Sequence, residues 1–466
     1  MNEMERILME TMHERAQEMP AHLDVDGIAL NKASRRHGMK IAGVSALGVS
    51  AVVAVALIGV SVFGGESTSK PRVATGPTSS VAATTTAPVA TTTTTAPAPT
   101  VRPGTWKALA DAPLSPSQTT LWTGTELIID DSGCCEDAGS AGYAAYNPKT
   151  DTWRDLAPLP DGPRLSEGVA LVGDEMIVAG GRQDNTSGEK TYPALPTWRY
   201  NIKTNEWRQG SAAPASVFGG TWNGSELFMT DANFRNTVPT YAYNPATDAW
   251  RKLSVAPIGK RSGTTVVAIG NKIAVWGGND GSYLGTDKRY TTYNDGVIYD
   301  PATDAWAKLP AAPVQARMDA TAVWTGSEMV IWGGHDDSNL FGHGAAYNPA
   351  TNTWRKITSS PLEARTAHLA VWTGSEMLIV GGNATSFYAS NGSGEEFSNG
   401  AAYDPASDTW RKLVDAPNGR VEMWASAWAG DRAIFFGGSD RDENGRTLNN
   451  GSGPQGATLT PLALVP

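Results

Sequence analysis

An all-β, seven-bladed β-propeller preceded by one transmembrane helix is the architecture that the sequence predicts, on three observations. A tryptophan recurs at 106, 153, 207, 250, 306, 354 and 410, and each is followed seven positions later by a proline. The segments between them carry two further repeating signatures, one a Gly-Gly pair and the other Trp-x-Gly-x-Glu. A single uncharged apolar stretch, Ile41 to Phe63, stands ahead of the first repeat.

Residues 1–40 read as a cytoplasmic tail. Met4, Leu8, Met12 and Ala16 fall at helical spacing and Pro20 ends the run, which fits a short amphipathic helix or a weakly ordered tail. Residues 41–63 reach ~34 Å as a helix, enough to cross a bilayer core of ~30 Å. Lys32, Arg35, Arg36 and Lys40 precede the stretch, so the positive-inside bias puts the N-terminus in the cytoplasm and the rest outside, on the cell membrane. A cleaved signal peptide has a shorter apolar region of about 7–15 residues and a small-residue exit. This stretch leaves through Val62-Phe63-Gly64-Gly65, and an uncleaved single-pass anchor in the lipid bilayer is expected. Residues 64–104 are almost entirely Thr, Ala, Pro, Ser and Val, a composition that buries no core and forms an extended stalk.

The repeats fill residues 105–466. Tyr146, Tyr200, Tyr243, Tyr299, Tyr347 and Tyr403 each precede a tryptophan by seven positions. The intervening Asn/Asp-Pro and Thr-Asp are turn chemistry between two short strands. Upstream, Trp122-Thr123-Gly124-Thr125-Glu126 and its copies at 222, 324 and 372 join two apolar runs as a tight β-turn does. The second run ends in a glycine pair at 180–181, 277–278, 333–334, 381–382 and 437–438. Each unit therefore holds four strands, and the tryptophans are 43 to 56 residues apart, the spacing of propeller blades. Trp106 is a fourth strand with no three strands before it, whereas the C-terminus supplies three strands with no tryptophan after them. Gly456-Ala457-Thr458-Leu459-Thr460-Pro461 aligns with Gly344-Ala345-Ala346-Tyr347-Asn348-Pro349, Leu459 replacing tyrosine. Seven blades result, the last completed by the first strand of the domain, which removes open sheet edges.

With its Gly-Gly, Tyr-x6-Trp and trailing-Pro elements, the sequence resembles the kelch family from residue 104 to the C-terminus. The resemblance implies the propeller fold. For function it spans adaptors, oxidases and sugar isomerases. A kelch-like copper oxidase needs a Cys–Tyr cross-link and several histidines. Here the outer domain has only His335, His343 and His368 and two adjacent cysteines, so neither that chemistry nor any other cofactor is expected.

An arginine opens the first strand of five units: Arg164, Arg261, Arg317, Arg365 and Arg420. First strands line a propeller's channel, beside the loops between second and third strands. Those loops vary most in length, long at about 182–197, 279–296 and 383–400 and short at 231–240. Two readings follow: a guanidinium ring that grips carboxylate or phosphate, or a structural bond to backbone carbonyls between blades, copied with each repeat. Arg182 and His335, each just after its glycine pair, belong to the same mouth. Trp424, outside the repeat positions, is the aromatic candidate for ligand contact. Glu167, Asp319, Glu422 and His368 follow the arginines and supply the acid and base that an isomerase would need. Cys134-Cys135 lies in an acidic loop of the first unit. Outside the membrane a disulfide persists, but a bond between adjacent residues is strained, so a vicinal disulfide or two free thiols is expected, and no metal site.

The net charge of −10 argues against nucleic-acid binding. The function expected is a membrane-anchored, extracytoplasmic binding module for a protein, peptide or glycan, biased toward anionic groups. The alternative is a propeller isomerase or hydrolase acting on cell-envelope carbohydrate.

Overall fold

The computed structural model describes residues 104–114, 120–130, 142–162, 164, 167–181, 194–231, 237–281, 290–384, 397–416, 421–439 and 456–460 of the 466. The expected tail, transmembrane helix and stalk lie outside the described residues, among which no helix is long and apolar enough to cross a membrane.

The described residues form seven four-stranded antiparallel sheets. Six are continuous in sequence: blade I (120–156), blade II (168–212), blade III (217–252), blade IV (265–309), blade V (321–356) and blade VI (369–412). Blade VII takes Val421–Trp428, Ala433–Ser439 and Gly456–Thr460 from one end of the domain and Thr105–Ala108 from the other. Trp106 stands opposite Leu459, as the alignment of Leu459 with the tyrosines requires. First strands of successive blades touch around the whole circle, blade VII meeting both VI and I, so the seven sheets close into a ring with these strands innermost.

Local chemistry makes each sheet. In blades I to VI the tyrosine faces its tryptophan across the third and fourth strands, with ring centroids 4.9 to 5.2 Å apart. The turn between them ends in Asp151, Asn205, Asp248, Asp304, Asn352 or Asp408, all left-handed with φ between 48° and 60°. Asp and Asn tolerate that conformation because their short side chains bond locally. Here each accepts the hydroxyl of the tyrosine five residues earlier, as Tyr146 donates to Asp151 at 2.7 Å.

The core lies between the blades. Seven buried apolar clusters each combine residues of two adjacent sheets, one cluster per seam. The seam that closes the ring packs Ala427, Ile434 and Phe436 of blade VII on Trp122, Leu127 and Ile129 of blade I. A polar clasp accompanies each seam. All seven repeat tryptophans donate Nε1–H to the segment leaving the preceding blade: Trp153 to Ala110, Trp207 to Ala157, Trp250 to Ser211, Trp306 to Ser254, Trp354 to Pro310, Trp410 to Thr358 and Trp106 to Val414, at 2.7 to 3.2 Å.

Candidate functional site

A four-stranded meander puts its first and third turns at one end and everything else at the other. At the turn end, charge is consumed by ion pairs within blades I, III, V and VI and by pairs such as Arg251–Asp304 and Arg355–Asp408 between neighbours. Glu126, Glu226, Glu328 and Glu376 take two-pronged hydrogen bonds from Arg154, Arg251, Arg355 and Arg411, the residues after the repeat tryptophans. The opposite end carries the described glycine pairs, the links between blades and the described candidate residues.

Four of the repeat arginines are described there, and all are buried: Arg164, Arg261, Arg317 and Arg365. Each donates Nη1–H to the carbonyl of the first glycine of its own pair, Gly180, Gly277, Gly333 and Gly381, at 2.9 to 3.1 Å. The second glycine reaches the next blade: Gly278 N–H donates to Arg317 O at 2.9 Å and Gly334 N–H to Arg365 O at 3.1 Å. A chain of bonds thus passes from blade to blade, arginine side chain to glycine pair to the next arginine's carbonyl. The guanidinium acts inside its own blade, and the bond between blades is made by backbone. Where blade III has Val217, Gly181 N–H still donates to its carbonyl. The approach requires glycine: Gly277 of blade IV has φ 71°, and a Cβ there would stand 2.7 Å from Arg317 O of blade V.

Each guanidinium of blades IV to VI is also roofed by an aromatic ring, Arg261 by Tyr293, Arg317 by Phe341 and Arg365 by Phe397, at 4.0 to 4.1 Å from the centroid. Sequence reading missed these aromatics. Their signal is an aromatic three residues before the glycine that opens the third strand, Gly296, Gly344 or Gly400. Burial draws Arg317 down to about 9 and Arg365 to about 10, although nearby acids oppose this.

The three histidines of the propeller gather in blades V and VI. His335 is fully buried, with Nδ1 2.7 Å from Asp336 O and Nε2 3.2 Å from Asp319 Oδ2. Burial opposes its charge, but the bonds and charges of Asp319 and Asp336 together outweigh it and its pKa is raised. His368 is buried, within 2.8 Å of Thr321 Oγ1; burial, then the Arg365 charge, drives its pKa down to about 3. His343 is half-buried and held low by burial, Arg317 and Lys356. Glu167 is buried at the seam of blades I and II, takes the Tyr143 hydroxyl at 3.3 Å and is raised by burial.

Of the sequence candidates, Arg164, Arg261, Arg317, Arg365 and His335 are thus buried groups bonded to backbone carbonyls and, except for Arg317, to a carboxylate of the chain as well. Arg182, Arg420, Cys134 and Cys135 lie outside the described residues. Trp424 lies in the strand Val421–Trp428, and its side chain and that of Glu422 are likewise outside the description. Among the described residues no group of three or more His, Cys, Asp or Glu comes together as a metal site.

Sevenfold closure, the glycine pairs and the tyrosine–tryptophan pairs define a kelch-type propeller. The chain belongs to the kelch-repeat family: the KLHDC2/KLHL20/DRC7 Kelch-repeats domain matches it over residues 211–382 and 263–450. It is 33% identical over 87 residues to Kelch-like protein 21 of Danio rerio, covering 18% of this chain and 13% of that protein. It is 37% identical over 65 residues to Kelch-like protein 13 of Mus musculus, covering 14% and 10%. The chain therefore matches only about an eighth of the length of these relatives. Among solved structures, a fungal alcohol oxidase of the AA5 family in complex with copper is similar at TM-score 0.55 and 15% identity, covering 77% of each chain, a likeness of fold alone.

Proposed function

We propose that the protein is a single-pass, membrane-anchored binding module whose propeller stands outside the cytoplasm and docks a protein or peptide partner on its loop end. The observation that carries this reading is the contrast between the two ends. The turn end is tight and ion-paired, whereas the segments that join second to third strands at the other end, between positions fixed by a hydrogen-bonded ring, differ widely in length. Rigid scaffolds with variable loops at one end are built for recognition. The anchor rests on residues 41–63 and the basic residues before them, and the kelch relationship supports a protein as the partner over a glycan.

The test is made in the native membrane. Protease added to intact cells should release the propeller while leaving residues 1–40 protected, and exchanging the 282–289 and 385–396 segments for Gly-Ser linkers of equal length should abolish partner cross-linking. Protection of the propeller, or cross-linking indifferent to the exchange, overturns the reading. The enzyme alternative draws on one observation, the buried, raised carboxyl of Glu167 beside Tyr143. It requires Glu167→Gln to abolish hydrolysis or isomerisation of envelope glycans while leaving their binding intact.

A further inference from the structure

The buried loop-end arginines differ in how their charge is met. Arg164 pairs with Asp161, Arg261 with Asp295 at 2.8 Å, and Arg365 with Glu363 at 2.9 Å. Arg317 has no carboxylate ion-pair partner among the described residues. Its Nε bonds Gln315 O at 3.0 Å, its Nη1 bonds the carbonyls of Gly333 and His343, and its Nη2 lies 2.9 Å from His343 Nε2. The replacement is positional. Gln315 stands two residues before its arginine, as Glu363 does, and His343 stands immediately before the third-strand glycine, as Asp295 does. Blade V thus has neutral groups at both places, whereas blade IV has an acid at one of them, Asp295, and blade VI at the other, Glu363.

The neutral groups are also in mutual conflict. A guanidinium only donates, so His343 Nε2 accepts from Arg317 and carries no proton. The same nitrogen lies 2.7 Å from Gln315 Oε1, which also only accepts, so the Gln315 amide must turn to present its nitrogen. Gln315 and Lys356 are exposed and His343 is half-buried, so the edge of this cluster meets solvent. Lys356 acts on His343 with the same sign as Arg317, while Asp336 is the carboxylate that opposes Arg317 through space.

We infer that the rim formed by Arg317, His343, Gln315 and Lys356 binds a carboxylate of an acidic peptide segment, which takes the place that Asp295 and Glu363 fill in the adjoining blades. The incoming carboxylate displaces the Gln315 amide from beside His343, accepts the second Nη2–H of Arg317, the first being held by His343 Nε2, and lies against Lys356 Nζ. A buried cation left without its counter-charge is costly, and a partner that supplies one is rewarded in the bound state only. This inference rests on the docking function above and names the chemistry of one contact in it.

The test uses the full chain in detergent and acetylated hexaglutamate as probe, followed by calorimetry and by the melting midpoint. Saturable binding that raises the midpoint is expected for the natural sequence. Gln315→Glu and His343→Asp bring in the neighbours' own carboxylates and should weaken the probe about tenfold or more without lowering the midpoint of the unliganded protein. Equal affinity in Gln315→Glu and the natural chain overturns the site, as does hexalysine binding equally well. Inorganic phosphate that saturates the site while hexaglutamate does not overturns the peptide assignment. A partner whose cross-linking survives Gln315→Glu overturns this contact and leaves the docking function standing, so the two fail separately.

Discussion

Trp106 Nε1 donates to Val414 O at 2.7 Å, joining two residues 308 positions apart. The bond repeats, between the ends of the domain, the clasp that the other six tryptophans make between consecutive blades. It accompanies the pairing of Thr105–Ala108 with Gly456–Thr460 and the packing of the Trp106 ring on Phe435 at 5.4 Å. Closure therefore combines a strand pairing, an aromatic contact and one hydrogen bond. Trp106→Phe keeps the ring and loses the bond, and should cost about 1 kcal/mol in urea unfolding. Trp106→Ala also loses the packing and should cost about 3 kcal/mol. Equal stability of Trp106→Ala and the natural chain would mean that the ring does not close through this strand.

Arg365 is fully buried and satisfies the carbonyls of Gly381 and Asn399 while its own carbonyl accepts from Gly334. Arg365→Met removes the donor from the Gly381 carbonyl and leaves Asn399 O with the Gly381 N–H alone, so a loss of about 2–4 kcal/mol is expected. The partner acid Glu363 is exposed and suffers little. Arg432→Ala, which breaks an exposed pair with Asp431, serves as control and should fall within about 0.5 kcal/mol of the natural chain. An Arg365→Met protein of full stability with altered ligand binding would return this arginine to a recognition role.

The number of blades was legible because its determinants are local and copied. Asn/Asp at the left-handed turn, tyrosine seven residues before tryptophan and proline seven after it all act within one hairpin or its neighbour. Leu459 in place of tyrosine was enough to register the closing strand. The arginines were legible only as positions, since a guanidinium repeated at a strand entrance looks the same whether it binds a ligand or a carbonyl. Their aromatic roofs were hidden because the intervening loops vary: Tyr293 and Phe397 lie 32 residues after their arginines but Phe341 only 24. The sequence set the acid and base candidates beside the arginines, but depth decides their state: burial, with Arg365 adding to it, lowers the His368 pKa, while the acceptors around His335 together raise its own.

Ala367 occupies the left-handed region at φ 53°, two residues after Arg365. The matching positions are Gly263 at 62° and Asp319 at 54°. Alanine has neither glycine's freedom nor aspartate's local bond, and carries a strain of about 1 kcal/mol there. Ala367→Gly relieves it at some cost in unfolded-chain entropy, for a net gain of about 0.5 kcal/mol in urea unfolding. Ala367→Val should instead destabilise, because a β-branched side chain adopts this conformation least readily. A gain from valine would show that the strain is not local to this residue.

His335 and His368 give stability opposite pH slopes. An unfolded histidine titrates near 6.5. Burial works against the His335 charge, but both ring nitrogens face acceptors, Asp336 O and Asp319 Oδ2, and its folded pKa lies above that value. The folded state then holds its proton more tightly, so this contribution is complete below about 6.5 and is lost as pH rises through the raised folded value. For His368 burial dominates, with Arg365 adding to it, and the folded pKa falls to about 3. There the unfolded chain binds the proton more tightly, so the contribution is complete above about 6.5 and disappears as pH falls toward 3. His335→Asn installs the residue that blades IV and VI carry as Asn279 and Asn383, and should flatten the alkaline side of a stability–pH curve only. His368→Gln should flatten the acid side only. Urea unfolding from pH 4 to 9 separates them, and a variant that lowers the whole curve without changing either slope would remove that histidine from the linkage.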